Sequence, residues 1–268
     1  MSQPERPSLR RRVADRSAPP LVVVPVTLAE PALVEIVGFA GAEAVVIDAE
    51  HGAIGPETMR AMLGHARSAA VAALFRPRSF DAAACRQALD AGAAGILVSH
   101  VDTPEQAAAV VAACRYAPLG RREMSLGRAV EYRAAAIPEH VSSANERELL
   151  VVMIESVEGL GNAERIAAVP GIDVIHVGVA DLSHAMGHTF QYAHPEVDAA
   201  VERIVEAALR CGVASGYPTA DPARAAFWAG RGVRFFEADT PDYLLREVYA
   251  AQLGRLAEAF SALRAEPG

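Results

Sequence analysis

Hydrophobic residues along this chain fall in short unbroken runs, each followed by a stretch with helical spacing, and the alternation repeats eight times. The runs are Leu21–Leu28 (LVVVPVTL), Ala44–Ile47 (AVVI), Ala72–Phe75, Gly95–Val101 (GILVSHV), Leu149–Ile154 (LLVVMI), Asp173–Val177 (DVIHV), Val213–Tyr217 and Val233–Ala238. Continuous apolar runs suit strands covered on both faces, as in a parallel sheet. Helices are predicted over 30–39, from Pro56, over 81–91, from Thr103, over about 195–210 and over 221–229, with an amphipathic helix over 244–263 closing the chain. Asp81 and Thr103 are good caps, and Pro56 and Pro104 suit a first helical turn. The polar interval Tyr116–Arg147, holding Gly120, Gly127 and Pro138, breaks the beat and reads as a long connection with one or two short helices.

Eight β/α units in a span of about 250 residues predict a single (β/α)8 TIM barrel. An open doubly wound sheet would favour a glycine-rich loop after the first strand, where this chain has Pro25-Val26-Thr27-Leu28. The barrel is assigned to residues 21–268, including the C-terminal helix. Residues 1–20 stand apart, with Arg6, Arg10, Arg11, Arg12 and Arg16 and a closing Pro19-Pro20. This arm is expected to be disordered or to dock on a neighbouring subunit.

Composition narrows the chemistry. All 25 basic residues are arginine, and the 268-residue chain has no lysine. Schiff-base aldolases, pyridoxal-phosphate enzymes and Walker-type nucleotide sites all need a lysine amine, so none is expected. The net charge of −8 argues against nucleic acid or an anionic membrane as the main partner. No apolar run reaches the length of a membrane span. Cys85, Cys114 and Cys211 are widely spaced in helix-like stretches and read as buried thiols of a cytoplasmic protein.

In a barrel of this kind the site lies where the strands end. The second run leads into Asp48, Glu50 and His51, the third into Arg76 and the fifth into Glu155, while Asp181 follows Gly178-Val179-Ala180 just beyond the sixth. Asp90 ends the helix before the fourth strand. Carboxylates on two successive strands, Glu155 and Asp181, form a hard oxygen site suited to Mg²⁺ or Mn²⁺. Each acid alone would serve equally as a helix cap or ion-pair partner.

Five strings in order, VVIDAEHG (45–52), LDAGAAGILVSHVDTPEQA (89–107), RYAPLGRR (115–122), MIES (153–156) and HVGVADLS (176–183), resemble the HpcH/HpaI aldolase/citrate lyase family. More narrowly, they resemble its class II pyruvate aldolases, such as those acting on 4-hydroxy-2-oxoheptanedioate. The likeness runs from about Leu21 to Leu245. It implies a carbon–carbon lyase using Mg²⁺, Mn²⁺ or Co²⁺, with no nucleotide cofactor, that makes or breaks the bond between pyruvate, as a metal-chelated enolate, and an aldehyde. By the resemblance Glu155 and Asp181 hold the metal, and Arg76 contacts the keto oxygen. His51 and Asp90 act as an acid–base pair, and the backbone of Gly178, Val179 and Ala180 receives the substrate carboxylate. A homo-oligomer, trimer or hexamer, with the last helix exchanged between subunits, is also implied.

The chain departs from the family phrases at Val179 and Ser99, where proline is usual, and at Glu123, where small residues are. Two rivals remain: another carbon–carbon lyase on the scaffold, acting on a CoA ester or using an enolate for biosynthesis, and a non-catalytic binding barrel. Tyr217-Pro218 and Arg121-Arg122 are further candidates for contact with substrate. His184, His188 and His194 read as a polar rim rather than a second metal site. His100 and His176 read as hydrogen-bonded core histidines, with the barrel mouth an alternative for His100, and Trp228, Phe235 and Phe236 read as core.

Overall fold

The computed structural model describes residues 8–265, with side chains to residue 261. Eight strands follow one another around a closed, all-parallel barrel: β1 (Leu21–Val26), β2 (Ala44–Asp48), β3 (Ala72–Arg76), β4 (Gly95–Val98), β5 (Leu149–Ile154), β6 (Val174–Val177), β7 (Ala214–Pro218) and β8 (Val233–Glu237). β1 pairs with both β2 and β8, so no sheet edge is left open. All eight predicted runs are strands. β1 and β4 are shorter at the C-terminal end than the apolar pattern suggests, because Thr27-Leu28 and Ser99–Val101 leave the sheet, whereas β2, β3 and β7 run one residue further, to Asp48, Arg76 and Pro218. His100 ends β4 outright, with a left-handed backbone at φ 56°.

Helices α1 (Leu9–Ala14), α2 (Pro31–Phe39), α3 (Pro56–Ser68), α4 (Ala82–Asp90), α5 (Pro104–Cys114) and α6 (Ile137–Arg147) precede β5. After it come α7 (Val157–Gly161), α8 (Ala163–Ala167), α9 (Val179–Ala185), α10 (Pro195–Arg210), α11 (Pro222–Ala229) and α12 (Pro241–Ala265). Starts are where the capping chemistry puts them. Asp81 accepts from the N–H groups of Ala83 and Ala84, and Thr103 with Gln106 forms a capping box ahead of Pro104. The polar connection holds two short 3₁₀ turns and then α6, an eleven-residue helix with proline in its first turn.

Two apolar layers follow from the strand period of two. Val45, Ile47, Phe75, Ile96, Val98 and Val152 face the helices, with Trp228 and Phe236. Ala44, Val46, Leu74, Leu97, Val151, Met153 and Phe235 fill the barrel's lower interior. That inner layer also contains Leu9 and Val13 of α1. The described part of the N-terminal arm is therefore ordered and caps the floor of its own barrel, because two apolar residues one turn apart cover the exposed ends of the inner layer. Arg10 pairs with Asp173 at 2.7 Å and Arg12 with Glu43 at 2.8 Å, which fixes the plug in place. The arm's first seven residues, Arg6 among them, lie outside the described residues.

Cys85 and Cys114 are buried and Cys211 is half-buried, all as free thiols. No described helix is long and apolar enough to cross a membrane.

Candidate active site

The inward phase set by Val46, Leu74, Leu97, Met153 and Phe235 continues upward to Asp48, Arg76, Ser99, Glu155 and Glu237, so the interior turns from apolar to ionised within one pleat. Arg76 is the hub. Its Nε donates to Asp48 Oδ1 at 2.9 Å, and its Nη2 bonds the second oxygen of the same carboxylate. Asp48 Oδ1 also accepts from the backbone N–H groups of Glu50 at 2.9 Å and His51 at 3.3 Å, which folds the β2–α3 loop over the ion pair. Glu50 Oε2 lies 3.4 Å from Arg76 Nε and accepts from the Ser99 hydroxyl at 2.6 Å. Burial works against the charge on Arg76, but Glu237, Asp48 and Glu50 together hold its pKa above the ordinary guanidinium value. Nη1 makes no hydrogen bond among the described residues and remains for another acceptor.

Glu155 is buried just past β5. Its Oε1 accepts from the backbone N–H of His100 at 2.6 Å and lies 3.1 Å from the ring Nδ1 of that residue. Burial pushes its pKa up to about 7, and the charges of Glu50 and Asp181 act in the same direction. Asp181, in the first turn of α9, is exposed and has no hydrogen bond or ion pair among the described residues. Gly178 makes room between them. A Cβ there would come within 2.6 Å of both Cβ and Oε2 of Glu155 and 2.9 Å of the Met153 sulfur. The N–H groups of Val179 and Ala180 open α9 and have no acceptor within the helix. Pro218, half-buried, ends β7 in register with Glu237.

His51 is exposed on the loop after β2, with Nε2 3.7 Å from Glu50 Oε2. Asp90 is not with it. α4 runs antiparallel to the strands, so its last residue returns to the N-terminal end of the barrel, where Asp90 bonds Arg122 at 3.1 Å. The expected His51–Asp90 pair is not assembled within one chain, and the carboxylate within reach of His51 is Glu50. Arg122 is likewise no substrate ligand of its own barrel. Its side chain is buried, bonded to Glu148 at 2.7 Å as well as Asp90, and it lies 4.5 Å from the Tyr116 ring centre.

The histidines also differ from expectation. His100 is a mouth residue, with Nε2 3.3 Å from Glu50 Oε1 as well as its contact with Glu155. His176 is a core histidine, but neither ring nitrogen has a hydrogen-bond partner, and Nε2 sits 3.6 Å from Glu237. Burial, reinforced by Arg76, pushes its pKa down to about 3, so the ring is neutral. Glu237 is the residue that the sequence reading missed. It sits in an apolar phrase, and only the period of two counted from Phe235 marks it as facing Arg76. Trp228, Phe235 and Phe236 are core as predicted.

Comparison with known proteins places this arrangement. The model of the HpcH/HpaI aldolase/citrate lyase family matches residues 22–233. The chain is 35% identical over 247 residues to a hydroxypyruvate/pyruvate aldolase of Delftia acidovorans, covering 91% of each chain. It is 34% identical to a 2-keto-3-deoxy-L-rhamnonate aldolase of Salmonella paratyphi B, over 82% of this chain and 83% of that one. Among solved structures, an HpcH/HpaI aldolase/citrate lyase family protein of Burkholderia cenocepacia J2315 superposes with a TM-score of 0.85 at 28% identity, covering 93% of this chain and 98% of the other. With the barrel, the strand-end acids and these matches together, the chain belongs to the HpcH/HpaI aldolase/citrate lyase family.

Proposed function

We propose that this carbon–carbon lyase is a divalent-metal-dependent pyruvate aldolase, joining pyruvate to an aldehyde or releasing it from a 4-hydroxy-2-oxo acid. One observation carries the reading: in a chain without lysine, a single guanidinium, Arg76, faces Asp48, Glu50 and Glu237 at the mouth, and Glu155 and Asp181 lie beyond Glu50 with no arginine of their own. An imine route is closed, and the surplus of negative charge calls for a cation. Glu155 and Asp181 fit that cation. Both are oxygen donors, and Gly178 leaves the space beside Glu155 that a side chain would fill. When bound, Mg²⁺, Mn²⁺ or Co²⁺ would supply positive charge where the keto oxygen gains electron density.

The chain's own groups account for the rest. The free Nη1 of Arg76 donates to the keto oxygen, held in place by the bidentate bond to Asp48. The open N–H groups of Val179 and Ala180 receive the substrate carboxylate. His51 takes the proton of the C4 hydroxyl, with Glu50 as its neighbouring carboxylate. Pro218 borders the space for the aldehyde. The relatives named above are aldolases of pyruvate-type and 2-keto-3-deoxy acid chemistry, which supports the same reading. Arg122 is buried at the floor and so supplies no basic surface at the mouth of the kind a CoA-ester lyase would need, and the complete polar set argues against a barrel kept only for binding.

The test is exchange of the pyruvate C3 protons in D₂O with and without EDTA. Exchange that depends on Mg²⁺ or Mn²⁺ is expected, and its absence at any metal concentration overturns the proposal.

The second part of the proposal is a homo-oligomer. α12 leaves the barrel at Pro241 and carries exposed Leu244, Val248, Tyr249, Leu253 and Phe260, with Val248 63% exposed. An apolar groove of about 640 Å³ lies over β1, lined by Val22, Val24, Leu33, Ile36 and Val37 and bordered by the start of α12. A barrel normally covers this face with a helix. A second copy's α12 supplies one of the right character. Light scattering should show a trimer or hexamer, and Leu253→Glu should shift it toward monomer.

A further inference from the structure

The connection between α9 and α10 gathers a set of donors that the strand-end chemistry does not use. His194 is the residue before α10, and its Nδ1 accepts from the backbone N–H of Glu196 at 3.3 Å. That cap fixes the ring and leaves its Nε2 for another partner. The ring of His188 stacks on it, with centres 3.7 Å apart and planes 18° from parallel. Gly187, at φ +82°, turns the chain so that this stacking is possible, and the His188 backbone N–H donates to Ser183 O at 2.7 Å. His188 Nε2 lies 2.9 Å from Glu196 Oε2. One nitrogen of each imidazole and one oxygen of Glu196 lie within 4.8 Å of one another, and this is the one three-donor cluster of its kind among the described residues. His184 does not join it, because its Nδ1 is engaged with Thr189 Oγ1 at 2.9 Å.

Two imidazoles beside a carboxylate are the donor set of zinc-class ions, and a three-ligand set leaves a fourth position for water. Tetrahedral coordination at zinc–nitrogen lengths of about 2.0–2.1 Å brings donor atoms to roughly 3.4 Å from each other. His194 is tied to the helix start by its cap and His188 has a side chain only 20% exposed, so the stacked rings must tilt apart for a nitrogen of each to converge on one ion. Glu196, 70% exposed at the side chain, supplies the adjustment. The positive end of α10 opposes a cation there, and the charge of Glu196 offsets it.

We propose that His188, His194 and Glu196 form a second metal site, for a borderline divalent cation of the zinc class, which pins the α9–α10 connection. It differs in kind from the oxygen-only Glu155–Asp181 pair, so the two sites select different ions. It also stands whether or not the aldolase reading does.

The test uses the untagged full chain carrying Glu155→Ala and Asp181→Ala, so that the strand-end site is removed, with folding checked by circular dichroism. Equilibrium dialysis against Zn²⁺ should find one ion per chain. Co²⁺ in its place should give the visible absorption of a tetrahedral site. His188→Ala and His194→Asn should each abolish both signals, and asparagine at 194 preserves the cap and thereby the fold. Wild-type protein saturated with Mg²⁺ should still take up one Zn²⁺ and lose that uptake with the same two substitutions. No Zn²⁺ held at micromolar concentration by folded protein, or binding untouched by both substitutions, overturns the proposal.

Discussion

The two ends of the barrel are built from the same materials and balanced in opposite ways. At the floor, Arg10 and Arg115 meet Asp173, Arg122 meets Glu148 and Asp90, and Arg12 meets Glu43, so each of these acids is bonded to at least one arginine. At the mouth, Arg76 alone meets Asp48, Glu50, Glu155, Asp181 and Glu237. A buried carboxylate without a cation is unfavourable, and folding alone gives no reason to gather Asp48, Glu155 and Glu237 in the interior with Glu50 and the exposed Asp181 beside them. The floor shows what this chain does when charge serves structure. The surplus at the mouth is therefore a binding requirement, and the contrast marks the active end without appeal to any relative.

The largest effect should come from breaking the mouth. Glu155→Ala or Asp181→Ala should reduce pyruvate C3-proton exchange to background, because each removes one of the two proposed metal ligands. Stability of the metal-free protein should hold or rise, since each change relieves like-charge repulsion. A variant that loses exchange but also unfolds earlier in urea would put these acids on the structural side of the comparison.

The complementary break is Arg122→Ala at the floor. It leaves Glu148 buried and Asp90 unpaired, at a cost of about 3–5 kcal/mol in urea unfolding. Exchange per folded molecule should be unchanged. A specific loss of exchange with stability retained would show that the Asp90–Arg122 pair serves the chemistry after all. A smaller effect is expected from Gly178→Ala, whose methyl group must displace Glu155. Metal should bind about 10- to 100-fold more weakly, the range seen when the surroundings of a ligand are disturbed. Direct titration of metal binding checks this, and unchanged affinity would mean that Glu155 is not a ligand.

The fold was legible because eight buried parallel strands leave eight unbroken apolar runs, and few other architectures need them. Glu155, Asp181 and Arg76 were legible for a related reason: a polar residue ending such a run stands out. The floor position of Asp90 was not legible, because a string of letters shows that it ends a helix but not which end of the barrel the helix returns to. Glu237 was passed over because it sits inside its run. Its inward phase becomes meaningful only once Arg76, five strands earlier in the chain, is known to face it across the barrel. The arm misled because Leu9 and Val13 are too few to read as a helix among arginines, although two apolar residues suffice to plug a floor already surrounded by strands.

The smallest predicted effect separates the ends by pH. His140 lies at the floor, edge-on to Tyr116 at 5.8 Å between ring centres. Burial, with Arg122 and Arg147 beside it, pushes its pKa down to about 4 from the ordinary 6.5. The unfolded chain therefore takes up this proton first, and the stability contributed by the neutral ring is present above pH 6.5 and lost as pH falls toward 4. His140→Gln should make the pH dependence of urea unfolding shallower in that window, and leave the loss from pH 6.5 toward 3 that the depressed pKa of His176 implies. Arg122→Ala should narrow the window, because it removes one of the cations that hold the His140 pKa down. If His140→Gln leaves the slope between pH 6.5 and 4 as steep as in the wild type, the floor does not exclude a further positive charge, and its charge balance is not what distinguishes it from the mouth.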